Sequence, residues 1–211
     1  MNRTLPALSI FIFFLVLFSC KKEAQKSQEK NEADLPSEPI SSLQSQEFTT
    51  QSGKVFELIE HSDENGLFDF HIVPKGFEFS EKDTMVIKGA DRISNVFLAD
   101  LDQNGFEEIY LITQSDGSGS YANIYGYSSN ADKSISPIYV RPIEEVDLAA
   151  GALFEGYMGH DSIFMDGAAL KRVFPKYQEG DANCCPTGGK TTLMYKLKAG
   201  EASWQLLPAQ Q

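Results

Sequence analysis

Three textures follow one another along the chain. From Leu5 to Phe18 almost every position is apolar. From Lys21 to about Gln46 the sequence KKEAQKSQEKNEADLPSEPISSLQSQ is charged and polar, with almost no large apolar residue. Such a stretch cannot bury enough apolar surface to offset the entropy of ordering, and it predicts a solvated tether. From Phe48 onward, short runs rich in β-branched and aromatic residues alternate with Gly, Asn, Asp and Pro, the pattern of strands separated by turns.

The runs place strands at 55–60, 67–73, 84–87, 94–99, 108–113, 122–127, 138–140, 162–165, 170–174, 191–197 and 204–207. The first two are joined through Asp63-Glu64-Asn65-Gly66, and Asn-Gly is a strong hairpin signal. Residues 142–151 (PIEEVDLAAG) have helical spacing and predict one short helix. The expected fold is mainly β, an antiparallel β-sandwich or barrel-like sheet with at most one or two short helices.

The opening segment combines Arg3, an apolar core and a small residue, which make a secretory signal. Spanning ~30 Å of hydrocarbon takes about 20 residues, so the run is short for a transmembrane anchor. Its end, Leu17-Phe18-Ser19-Cys20, resembles the lipobox of bacterial lipoproteins. That resemblance implies cleavage before Cys20 and lipid on its thiol, a diacylglycerol with palmitate-type acyl chains. The expected organisation is a signal peptide at 1–19, lipidated Cys20 and tether at 20–50, and a folded β domain at 51–211. Lys21-Lys22 do not match an Asp inner-membrane retention signal. The resemblance therefore implies an outer-membrane lipoprotein of a gram-negative cell envelope, facing the periplasm or the cell surface and touching the membrane only through its lipid.

The formal charge is -12, and losing Arg3 with the signal makes it -13. The tether is close to neutral, so the acidity sits in the folded part. Phosphate backbones would be repelled, which argues against nucleic acid. Cationic partners would be steered in. With Cys20 assigned to lipid, only Cys184 and Cys185 of the three cysteines remain. They cannot build a disulfide framework, so burial must hold the domain. As an oxidised vicinal pair they would lock the turn before Pro186; reduced, they are two small apolar groups. A two-cysteine metal site lacks a third ligand nearby.

Two segments carry candidate chemistry. In Asp100-Leu101-Asp102-Gln103-Asn104-Gly105 the pattern D-x-D-x-N-G offers the oxygens of Asp100, Asp102 and Asn104 to calcium, although Leu111 stands where an EF-hand has Glu. The same residues equally make a polar turn between strands. The second segment is Ser115-Asp116-Gly117-Ser118-Gly119-Ser120-Tyr121. It is flexible, rich in hydroxyls and flanked by an aromatic residue, as a recognition loop would be. No helix or Lys follows it as in a phosphate-binding loop.

Together, Val96 to Tyr110 (VFLADLDQNGFEEIY), Gly117-Ser118-Gly119-Ser120-Tyr121, and the later run from Phe174-Pro175 through Gly180-Asp181-Ala182-Asn183 to Pro186-Thr187-Gly188-Gly189-Lys190-Thr191 resemble the periplasmic inhibitors of invertebrate-type lysozyme. The resemblance spans about residues 50–207. It implies a β-rich, non-catalytic protein that inserts a loop into the cleft of a lysozyme, with Ser118, Gly119, Ser120 and Tyr121 as the contact residues. Ser118 would offer its hydroxyl to a catalytic carboxylate, Tyr121 a phenol and a rigid ring, and Gly119 close backbone approach. The lipid tether and Cys184-Cys185 depart from that family's pattern.

Catalytic signatures are weak. His160-Asp161-Ser162 are sequence neighbours, whereas triad members come from separate elements, and none of the common hydrolase or metal motifs is present. No resident cofactor is expected beyond calcium. Two readings remain: a lysozyme inhibitor, and a calcium-binding envelope adhesion module without inhibitory activity. A homodimer is compatible with either.

Overall fold

A computed structural model describes residues 44–62 and 64–210; Cys20, the signal and most of the expected tether lie outside them. Among the described residues, twelve strands make up almost all of the regular structure: β1 (Gln44–Thr49), β2 (Val55–Ser62), β3 (Phe68–Lys75), β4 (Met85–Ala90), β5 (Arg92–Ala99), β6 (Glu108–Gln114), β7 (Ala122–Asn130), β8 (Ser134–Val140), β9 (Ser162–Asp166), β10 (Ala169–Pro175), β11 (Lys190–Ala199) and β12 (Trp204–Gln210). The first four form an antiparallel sheet in the order β1-β2-β3-β4. The other eight form a curled, nearly closed barrel-like sheet in the order β5-β6-β7-β8-β12-β11-β10-β9. Its one parallel pairing joins β8 to β12 through Tyr139 and Val140. The edge strands β5 and β9 put Phe97, Ala99, Ile163 and Met165 into one interior cluster.

Strand β6 explains how the two sheets stack. Its side chains alternate between two cores: Ile109 and Leu111 pack with Phe56, Phe70 and Ile72 of the four-stranded sheet, while Tyr110 and Ile112 face the barrel interior with Leu170, Leu197 and Leu206. A strand buried on both faces reads as a continuous apolar run rather than an alternation, and Ile109-Tyr110-Leu111-Ile112 is that run. Strand β3 has one buried face only, and its strict alternation shows it.

Two boundaries differ from the sequence expectation. The sheet begins at Gln44, ahead of the expected domain start at 51, because β1 pairs with β2 along its full length from Gln44↔Glu60 to Thr49↔Val55. An edge strand exposed on one face needs only Phe48 packed against the core, so its sequence, QSQEFT, looks like tether. The expected helix at 142–151 contracts to one 3-10 turn, Glu145–Leu148, with no buried residue. Glu144 and Asp147 close a reciprocal capping box there, and Arg141 holds Asp147 at 2.6 Å. With Val146 67% exposed, no apolar face exists to carry the helix further.

Candidate functional site

The connection from β6 to β7, residues 115–121, is short and tightly closed. Ser115 N donates to the Tyr121 carbonyl at 2.9 Å and Ser120 N to the Gly117 carbonyl at 2.9 Å. Ser120 takes a positive φ of 43°, the sharp bend that lets the loop return to β7. Asp116, Gly117 and Ser118 are exposed, and the Tyr121 side chain is 45% exposed.

Three neighbouring elements hold this loop from behind. From β6, Gln114 Nε2 donates to the Ser120 carbonyl (2.7 Å), to Ser120 Oγ (3.1 Å) and to the Asp161 carbonyl (3.1 Å). From the segment before β9, His160 N donates to the Gly119 carbonyl at 2.7 Å. From the connection between β10 and β11, Asn183 Nδ2 donates to the Ser118 carbonyl at 2.9 Å. Asn183 is itself held by Tyr177, whose hydroxyl donates to its carbonyl at 2.7 Å, and it meets His160 Nε2 at 3.3 Å. Two glycines make the approach feasible. A Cβ at Gly159, which sits at φ +88°, would run into the Gly119 carbonyl, and a Cβ at Gly119 would strike the Tyr121 ring.

Beneath the loop lies a buried ion pair. Arg172 is 4% and Asp161 3% exposed. Arg172 Nε stands 3.2 Å from Asp161 Oδ2, out of line for a hydrogen bond, and its Nη2 donates to the Ala122 carbonyl at 2.9 Å. Asp161 accepts Ala122 N at 2.9 Å and the Tyr157 hydroxyl at 3.0 Å. Burial and the Asp161 charge push the Tyr157 phenol above its ordinary pKa, so it remains a donor. The Tyr157 ring meets Tyr121 edge-on at 5.7 Å and Phe174 at 5.0 Å. Charge, backbone and aromatic contacts thus lock the first residues of β7, and with them Tyr121. Behind Tyr121 opens a cavity of about 590 Å³, lined among others by Tyr157, Arg172, Tyr195, Ile143 and Leu148.

Of the residues singled out in the sequence, Ser118, Gly119, Ser120 and Tyr121 fall together on this loop. The Cys184–Cys185 pair is joined as a disulfide between neighbours and follows Asn183, so the second family-like run touches the first. His160, Asp161 and Ser162 do not converge: His160 faces Asn183, Asp161 faces Arg172, and Ser162 is exposed on β9. Sequence reasoning missed Arg172, Gln114, Tyr157 and Gly159, and named Asn183 only within the second family-like run, without a role. Of the missed residues Arg172 left a signal, since Leu170, Arg172 and Phe174 share one strand face and place a cation among apolar residues.

The acidic turn sits at the other end of β6. Asp100 accepts Asn104 N at 3.0 Å and Gly105 N at 2.8 Å. Asp102 accepts Asn104 N at 3.1 Å and Asn104 Nδ2 at 2.9 Å. Asn104 Oδ1 accepts Phe106 N at 2.8 Å, so this oxygen closes the turn. The third carboxylate facing Asp100 and Asp102 is Glu108, the first residue of β6, which the sequence reading left out. Burial, reinforced by Asp102 and Asp100, pushes Glu108 up to about 7.

The class defined by this architecture is a mainly β domain, with a small sheet stacked on a nearly closed barrel-like one and a rigidly supported, exposed loop at one end. No protein-family model, no curated protein and no solved structure matches the chain.

Proposed function

We propose that the protein is a lipid-anchored, non-catalytic inhibitor of lysozyme, invertebrate type favoured, that inserts the 115–121 loop into the enzyme's cleft. The observation that carries this reading is the combination of exposure and support: Ser118 and Tyr121 are open to solvent on a loop held by Gln114, His160 and Asn183. A loop already fixed in its bound form loses little entropy on docking. Glycosidases of this kind work with a pair of carboxyl groups flanking the scissile bond, one of them protonated. Hydroxyl donors from Ser118 and Tyr121 would cap these groups, while Gly119, turned toward the Tyr121 ring and His160, lets the loop close behind them. Tyr121 and Leu148 add exposed apolar surface around the same cavity. The acidic charge suits a basic enzyme, and a lipid at Cys20 would hold the inhibitor beside the peptidoglycan it protects.

The test is a lysis assay with the fragment from Gln44 to Gln211, which keeps β1, against invertebrate-type, chicken-type and goose-type lysozymes. Selective inhibition of the invertebrate type is expected. Inhibition of none of the three would reject the reading.

A further inference from the structure

We propose that Asp100, Asp102 and Glu108 form a calcium site that ties the β5–β6 connection to the start of β6, independently of the inhibitor reading. One oxygen from each of the three carboxylates lies within 4.8 Å of the others. Acidic turns are common, and Asp100 and Asp102 alone would be only that. Glu108 is different. It is fully buried, its Oε2 accepts Leu101 N at 3.0 Å and the Tyr110 hydroxyl at 3.2 Å, and among the described residues its Oε1 has no hydrogen-bond partner. A buried carboxylate oxygen without a partner is costly, and this one belongs to the carboxylate that faces the two aspartates. A cation among the three would supply the missing partner and remove the mutual repulsion.

The donor set names the ion. All three ligands are hard carboxylate oxygens, with no thiolate or imidazole among them, which disfavours zinc and the softer metals. Magnesium demands a near-ideal octahedron, whereas calcium accepts irregular sets of six to eight oxygens, completed by water and carbonyls. The turn is irregular, and solvent reaches it through a cleft of about 520 Å³ bounded by Asp100, Gln103 and Glu107 on one side and Gly167 and Ala168 on the other. Asn104 has the supporting role. Its amide and backbone N–H groups orient both aspartates, while its oxygen serves Phe106. Glu108 opens β6 and the 115–121 loop follows its end, so about 20 Å of strand separates ion from loop.

The experiment uses the chain from Lys21 to Gln211, without Cys20, stripped with chelator and then titrated with calcium or magnesium while the melting midpoint is followed. Sites of this exposure in extracellular modules bind at about 0.1–1 mM. At about 10 mM calcium the midpoint should therefore rise by about 3–10 °C, with a smaller rise for magnesium. Glu108→Gln keeps the shape and removes a ligand charge; it should melt no lower than wild type in chelator and lose the calcium response. Asn104→Ala should keep a response at higher calcium. An unresponsive wild type, or a Glu108→Gln variant that responds as wild type does, would overturn the site.

Discussion

Single residues decide how the exposed loop is presented. Gly159 carries a positive φ and faces the Gly119 carbonyl with no room for a methyl group. Gly159→Ala is expected to cost about 1–3 kcal/mol and to push the loop out of register, so that urea midpoint and inhibition fall together. At the opposite end, Glu108 has its folded pKa raised from 4.5 to about 7 by burial. A carboxyl with a raised folded pKa favours the fold while protonated, so its contribution is largest below pH 4.5, is lost as pH climbs to 7, and is flat above. That loss is about 3 kcal/mol in chelator. Urea titrations at pH 4.5 and 8 should show it as the difference between wild type and Glu108→Gln, in which it disappears.

Among the elements, β10 couples core to loop. Leu170 and Phe174 fill apolar clusters, and Arg172 between them neutralises Asp161, which in turn holds Tyr157 and the start of β7. Arg172→Met leaves Asp161 buried without its cation and should cost about 3–5 kcal/mol. Adding Asp161→Asn should recover part of it, and a double-mutant cycle in urea measures the coupling. The same strand shows where sequence reading succeeds and where it stops. Runs of β-branched and aromatic residues marked β3, β10 and β11, each of which buries one face, and β6, both of whose faces are covered. Strand β1 was hidden, since an edge strand with one half-buried Phe48 carries a tether's composition. The loop's position was legible from Gly and Ser between two good strands. Its supports were not, because Ser118 and Asn183 lie 65 positions apart and Asp161 reads as a neighbour of His160 until Arg172 is seen against it. The third carboxylate, Glu108, stands at the end of a D-x-D-x-N-G-x-x-E spacing, but as the first residue of a strand it was not counted with the ligands.

At the scale of the whole molecule, the barrel-like sheet separates two ends of different chemistry. One end carries the acidic turn and Glu108; the other carries the loop, the Arg172–Asp161 pair and the cavity behind Tyr121. The net charge of -12 acts over longer distances and should speed encounter with a basic enzyme more than it tightens the final complex. Raising salt from about 50 to 500 mM should therefore slow association, read by surface binding kinetics, with little change in dissociation. The central claim is that Ser118 and Tyr121 make the inhibitory contact. It is tested most directly by inhibition of invertebrate-type lysozyme with wild type and with Ser118→Ala/Tyr121→Ala, their melting midpoints compared alongside. Loss of inhibition by about 30- to 1000-fold at an almost unchanged midpoint is the predicted result, in keeping with two contacts of about 1–2 kcal/mol each. A double variant that folds and inhibits as wild type does would contradict it.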